Sequence, residues 1–177
     1  MNEFWQNHLR ACGAVFEHER VAHFGAPEQE WAAVKTGTVL SDLSHLGLIG
    51  FSGDDTQTFL QGQLTSDVRQ VNPNRAQYSS HCTPKGRMLA NFLLWQSVGG
   101  DYLMQLPAEL QASTQKRLGM FVLRSKVKVR DAGGELVRIG LAGSGAEALL
   151  QRHFPTLPND PMGVANSDAM SVVRLSA

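Results

Sequence analysis

YSSHCTPKGRMLANFLLW, residues 78–95, is the stretch from which the rest of the chain is read. Tyr78, His81 and Cys82 precede Thr83-Pro84-Lys85-Gly86, and an almost continuous apolar run from Met88 to Trp95 follows it. Proline fixes φ at the first central turn position and glycine accepts positive φ further on, so the pattern predicts two strands joined by a tight turn. The second arm is apolar on both faces, as in a strand covered from both sides. Asn91 is the exception within it. An amide buried there without hydrogen bonds would cost about 1–3 kcal/mol, so the pattern predicts a partner: a neighbouring backbone group or a bound polar ligand.

Working outward, residues 99–100 (Gly-Gly) read as a second hairpin turn, leading into a strand at 101–106. Pro107 then opens a helix in which Leu110, Thr114, Leu118, Phe121 and Val122 share a face. Residues 125–131 alternate, with Val127 and Val129 on one side and Lys126, Lys128 and Arg130 on the other. With Arg124 these cations form a basic ridge, either a solvated strand face or a contact for phosphate, polyglutamate or RNA. A turn at 132–134, a strand at 136–141, a helix at 144–153 and a proline-bearing loop at 156–168 complete the far side. A strand starting at Met170 is then cut off without a turn or a partner, which predicts that the chain is the front part of a longer polypeptide.

Toward the N-terminus, apolar spacing predicts a helix over residues 3–14, packing through Phe4, Trp5, Leu9 and Cys12. Residues 15–24 read as an edge strand or a loop. Their His and Glu residues lack the convergent spacing of a metal site, so no metal is expected. Pro27 starts a short helix that stops at Gly37. Asp42, Ser44 and His45 are adjacent in sequence and cannot align as a hydrolase triad; a polar turn closed by the Asp and Ser side chains is the reading. Residues 46–52 alternate large and small, as a strand does where a backbone or a ligand approaches closely. Asp54 or Asp55 caps a helix carrying Phe59, Leu60, Leu64 and Val68, within which Gly62 marks a close neighbour or an early end.

The 177 residues can bury a real core, with 42% hydrophobic and 18% charged residues as in a soluble globular protein. Sixteen Lys+Arg balance sixteen Asp+Glu, so no global field points to nucleic acid or to an anionic membrane. Cys12 and Cys82 are too few for a disulfide framework, no apolar run approaches the ~20 residues of a membrane span, and no leader pattern opens the chain. A cytoplasmic setting without membrane contact is the expectation.

Four stretches carry a family likeness: DLSHLGLIGFSGDD (42–55), FLQGQLTSDV (59–68), SSHCTPKGRMLANFLLW (79–95) and LRSKVKVRD (123–131). In order and spacing they resemble the YgfZ family of folate-binding proteins, relatives of the glycine-cleavage T-protein, an aminomethyltransferase. The likeness spans about residues 38–142. It implies an α+β fold like the aminomethyltransferase folate-binding domain, an antiparallel or mixed sheet with packed helices, holding tetrahydrofolate or a one-carbon derivative. It also implies partnership with iron–sulfur proteins and an effect on tRNA modification. Expected organisation is a helical extension (1–37), the folate-binding domain (38–154) and the start of a further segment (155–177).

Carried residue by residue, the resemblance assigns the ligand-facing set to Leu46, Tyr78, Asn91 and Gln105. Where the aminomethyltransferases have G-G-x-x-D-D, this chain has Gly86-Arg87-Met88-Leu89-Ala90-Asn91. A neutral amide cannot accept a proton as a carboxylate does, and losing a positioned proton-transfer group costs about 10²–10⁴ in rate. The expectation is therefore folate binding with no catalytic residue assigned. Aminomethyl transfer using a carboxylate from elsewhere is one alternative, and an RNA-contacting module on Arg124, Lys126, Lys128 and Arg130 is another. The K-G-C-Y-x-G-Q-E signature that the resemblance implies farther along does not occur in the chain. Cys82, in its strand before the turn, reads as a structural thiol.

Overall fold

The computed structural model describes residues 3–18, 20–168 and 170–175. In chain order the elements are α1 (Glu3–Ala11), β1 (Val15–Glu17), β2 (Arg20–His23), α2 (Pro27–Thr36), β3 (Thr38–Asp42), β4 (Leu46–Ser52) and α3 (Thr56–Gln63). A 3-10 turn (Val68–Gln70) leads to β5 (Gln77–Cys82), β6 (Met88–Gln96), β7 (Tyr102–Pro107), α4 (Ala108–Met120) and β8 (Lys128–Asp131). The remainder is β9 (Ile139–Gly143), α5 (Ala146–Leu150), β10 (Val164–Ser167) and β11 (Met170–Val173). These elements form two compact units, each built from two separated stretches. One holds residues 1–46 and 133–153; the other holds 47–132 and 154–177.

In the first unit β1 and β2 form an antiparallel hairpin, so the ambiguous 15–24 stretch is two short strands. β3 and β9 pair antiparallel over five residues. α1 ends at Ala11 and buries Leu9, while the Trp5 indole donates to Asp42 Oδ1 at 2.9 Å. That oxygen also accepts from the Ser44 amide and, at 2.6 Å, from the Ser44 hydroxyl. The DLSH stretch is thus a polar turn closed by its own side chains, as its spacing indicates. No residue of α2 is buried, and Trp31 stands 71% exposed.

The second unit is a five-stranded sheet in the order β5-β6-β7-β4-β8. Alternation along the strands sends Ile49, Phe51, Ala90, Phe92, Leu94, Tyr102, Met104 and Leu106 into one core, with Phe59 and Leu60 of α3 and Leu118 of α4. Fully burying each large aliphatic or aromatic side chain is worth about 1.5–3 kcal/mol, so this layer dominates the stability of the unit. Leu48, Leu93, Trp95 and Leu103 point to the second face and join Ala76, Ala132 and Val164. That second layer explains why β6 is apolar on both sides from Phe92 to Trp95.

The hairpin turn is as the sequence predicts. Gly86 takes φ +79°, its amide donates to the Thr83 carbonyl at 2.9 Å, and a bulge between His81 and Cys82 absorbs the turn. Gly100 does the same at φ +86° for the β6–β7 hairpin. The small residues of β4 make room for side chains rather than for a backbone or a ligand. A Cβ on Gly47 would lie 2.8 Å from Gln111 Cβ of α4, and one on Gly50 2.8 Å from the guanidinium carbon of Arg130. The first approach lets Gln111 Oε1 accept from the Leu48 amide at 3.2 Å.

Several expected boundaries move. α3 stops at Gln63, leaving Leu64 as its C-terminal cap and Val68 in the 3-10 turn; nothing lies within 4 Å of where a Gly62 Cβ would sit, so that glycine marks an early end. Asp55 flanks α3 but does not cap it, because its Oδ2 accepts from the Lys126 amide at 2.7 Å. Residues 125–127 form a turn and strand geometry begins at Lys128. β11 is not the partnerless strand that its position suggests: it pairs with β10, which the proline-bearing loop conceals in sequence.

Candidate functional site

The strand register places three of the four ligand-facing candidates on the second face of the larger unit. Leu93 of β6 faces Tyr78 of β5 on one side and Gln105 of β7 on the other, so Tyr78, Leu93 and Gln105 make one row across three strands. Asn91, two residues along β6, shares that face and lies opposite Ser80. Tyr78 is 57% exposed, Asn91 is exposed and Gln105 is half-buried. The expectation that Asn91 is an amide inside an apolar strand is therefore overturned. Burial on this face stops at Leu93, because Val164, Met162 and Val173 pack against Leu93, Trp95 and Leu103 and leave the end nearer the turn open. Leu46 belongs to the first unit, where its carbonyl accepts from Arg138 Nη2 at 2.9 Å.

The hydrogen bonds at the edge of β5 fix the geometry of this face. Thr65 donates its amide to the Ser80 carbonyl at 3.0 Å, and Thr65 Oγ1 accepts from the Ser80 amide at 3.2 Å. Ser66 Oγ donates to the Tyr78 carbonyl at 3.1 Å. Backbone groups of Tyr78 and Ser80 therefore point away from β6, which makes Ser80–Asn91 and Tyr78–Leu93 non-hydrogen-bonded pairs. In such pairs the Cα atoms are about 4.5 Å apart and the side chains stand closest. The FLQGQLTSDV stretch thus serves as a clamp on β5. Gln61 Oε1 accepts from the Val68 amide at 2.7 Å, and Asp67 caps the 3-10 turn through the Arg69 amide.

Asp67 also accepts from Arg69 Nε at 2.8 Å. That side-chain hydrogen bond holds its carboxyl below the usual carboxylate range and raises the Arg69 guanidinium in turn. On the first face, buried His81 contacts the Gln63 carbonyl through Nδ1 at 2.9 Å and accepts from Arg117 Nε at Nε2, 3.2 Å away. Sequence reasoning missed this link and the Thr65–Ser80 pairing. The signal for the first was parity, since His81 shares its side of β5 with Ser79 and so faces the helices.

The basic ridge is broken up. Lys126 pairs with Asp54 at 3.6 Å, and Arg130 folds over Gly50 to meet Asp101 at 3.0 Å. Lys128 is exposed on β8, while exposed Arg124 lines a surface cleft of about 740 Å³ with Asp55, Phe121, Val122, Leu123 and Ser125. That cleft does not include Tyr78, Asn91 or Gln105. Cys82 is a half-buried free thiol. Among the described residues no three His, Cys, Asp or Glu side chains gather as a metal site, and no helix is long and apolar enough to cross a membrane.

Chemically, the row and its neighbours offer an exposed phenol ring and neutral hydrogen-bonding groups from Tyr78, Ser80, Asn91 and Gln105. The second-face positions of β5, β6 and β7 carry no carboxylate. Residues 2–175 match the family described as the GCVT N-terminal domain. The chain belongs to that family. It is 33% identical over 136 residues to an aminomethyltransferase of Geobacillus kaustophilus, covering 76% of this chain and 36% of that one. It is also 33% identical over 139 residues to the tRNA-modifying protein YgfZ of Colwellia psychrerythraea, covering 78% of this chain and 42% of that one. The glycine cleavage system aminomethyltransferase T from Bartonella henselae shares the fold, with a TM-score of 0.74 at 18% identity, over 93% of this chain and 46% of that chain. The chain thus spans less than half the length of these relatives, and within the GCVT N-terminal domain family its α+β fold is the one expected.

Proposed function

We propose that this domain binds tetrahydrofolate, or a one-carbon derivative of it, on the open end of the second sheet face, and that it holds the ligand without aminomethyl transfer. The observation that carries this reading is the neutral face. Tyr78 offers a ring to stack on a planar heterocycle, and Asn91 and Gln105 offer donors and acceptors for its edge. Asn91 stands exposed where the likeness to aminomethyltransferases puts an acid, and its amide cannot take up the proton that such a transfer needs. Leu46 belongs to the proposed ligand set on the resemblance alone.

Supporting iron–sulfur enzymes and, through them, tRNA modification is the role proposed for the whole protein. It rests on the likeness to proteins named YgfZ. An RNA contact on Arg124, Lys126, Lys128 and Arg130 draws less support, since Lys126 and Arg130 are already ion-paired.

Calorimetric titration of the chain with tetrahydrofolate is the test. Saturable heat and a rise in Tm are expected, since a ligand that binds only the folded state stabilises by mass action. No heat and an unchanged Tm at millimolar ligand overturn the reading. Formation of methylene-tetrahydrofolate from an aminomethyl donor overturns the second half of it.

A further inference from the structure

We infer that the turn after α4 docks on an anionic lipid bilayer, with Leu123 as its apolar tip and Lys116 and Arg124 as flanking charges. This surface is independent of the folate reading. Three observations carry it.

First, the balanced charge of the whole chain conceals a cationic end on the larger unit. Residues 110–130 contain Lys116, Arg117, Arg124, Lys126, Lys128 and Arg130 and no Asp or Glu. Arg117 is engaged by His81, Lys126 by Asp54 and Arg130 by Asp101. Lys116, Arg124 and Lys128 are exposed and make no ion pair among the described residues. The carboxylate nearest the turn, Asp55, is turned to the Lys126 amide.

Second, the turn is rigid and holds the wrong residue for its backbone. The Ser125 amide donates to the Val122 carbonyl at 2.8 Å, so Leu123 and Arg124 are the central residues of a tight turn. Val122 and Val127 on either side of it pack against the core, which drives the turn outward. Leu123 takes φ +46°, a conformation that glycine or asparagine adopts at less cost. A leucine there serves no packing within the unit, because it is 86% exposed.

Third, the apolar tip is not a single residue. Met120 is 58% and Phe121 43% exposed, and Phe121, Leu123 and Arg124 line the same surface cleft. Lys116 lies one helical turn before Met120, and the Arg117 guanidinium lies 6.0 Å from the Phe121 ring centroid. Aliphatic side chains ringed by cations suit a bilayer interface: the tip enters the acyl boundary while lysine and arginine meet anionic headgroups. Leucine and methionine have no ring to stack on a base, so the same surface suits RNA less well.

The test is co-sedimentation of the chain with phosphatidylcholine vesicles, with and without about 30 mol% phosphatidylglycerol. Binding is expected to the anionic vesicles alone and to weaken as salt rises from about 0.1 to about 0.5 M. Arg124→Gln and Lys116→Gln should each weaken it about fivefold, the scale of one cation near a charged surface. Leu123→Gly removes the tip and suits the turn backbone. It should keep Tm at or near that of wild type yet weaken vesicle binding about tenfold or more. No binding to anionic vesicles, or equal binding to neutral ones, overturns the inference. So does vesicle binding that Leu123→Gly leaves intact. Two other outcomes overturn it in favour of a different occupant. Transfer RNA bound by wild type and Leu123→Gly alike but lost in Arg124→Gln, without vesicle binding, makes the turn a nucleic-acid contact. Self-association in sedimentation velocity that Leu123→Gly abolishes, without vesicle binding, makes the occupant a second copy.

Discussion

Arg117 donates from Nε to Nε2 of His81 at 3.2 Å, and this contact decides which tautomer the buried imidazole adopts. Guanidinium nitrogens only donate, so Nε2 must accept, the proton sits on Nδ1, and Nδ1 donates to the Gln63 carbonyl. One ring therefore ties the end of α3 to α4 across β5. Nitrogen NMR should show a neutral imidazole with the proton on Nδ1. Replacing His81 by Leu leaves the Gln63 carbonyl and Arg117 short of a partner and is expected to cost about 1–3 kcal/mol in denaturant unfolding. An unchanged midpoint would remove the link from the stability of the unit.

Gly47 and Gly50 lie on one strand and should respond differently to alanine. At Gly47 the new methyl meets Gln111 Cβ, which is rooted in α4, and displaces the side chain that accepts from the Leu48 amide. Overpacking of this kind costs about 1–3 kcal/mol. At Gly50 it meets only the tip of Arg130, which can swing away. The ion pair with Asp101 that this movement strains is about a third exposed on both sides and worth no more than ~1 kcal/mol. Equal losses on thermal unfolding would contradict this.

The Asp67–Arg69 contact sets a pH dependence with a definite sign. The Asp67 carboxyl is lowered in the folded state, chiefly by the Arg69 side chain. Its contribution is therefore present above the unfolded carboxylate pKa and is lost as pH falls through the lower folded value. Carbon NMR titration of Asp67 should give a midpoint below that of an exposed aspartate. Asp67→Asn should flatten that part of the acid unfolding curve, leaving neutral pH as the place where wild type holds its advantage.

Asn91→Asp distinguishes an exposed amide from an interior one. A carboxylate in an apolar interior would be heavily penalised, whereas an exposed position tolerates it within about 0.5 kcal/mol. Urea unfolding of Asn91→Asp is expected to match wild type at neutral pH. A loss of several kcal/mol would place the side chain inside.

Much of the larger unit was legible because its signals are local. Turn chemistry at residues 83–86 and 99–100 is fixed by proline and glycine, and the alternation of β6 is visible in its own sequence. What escaped depends on distant partners. Asn91 looks buried along the strand, yet its exposure is set by how far β10 and β11 reach over the face. Asp55 looks like a cap for α3, yet the Lys126 amide, remote in sequence, takes its carboxylate. The cations of residues 124–130 alternate on paper, but Asp54 and Asp101 draw two of them aside. Compact units assembled from separated stretches are also invisible to a reading that divides the chain linearly.

The seal that Thr65 and Ser66 place along β5 has a further consequence. A border strand with bare amides and carbonyls invites a foreign strand to add to it. Until the segment from Leu64 to Asp67 docks, a freshly folded hairpin is a template on which another copy can polymerise. Residues 64–67 therefore guard the molecule against its own kind, and loosening Thr65 should show first as fibrils or oligomers rather than as a lower melting temperature.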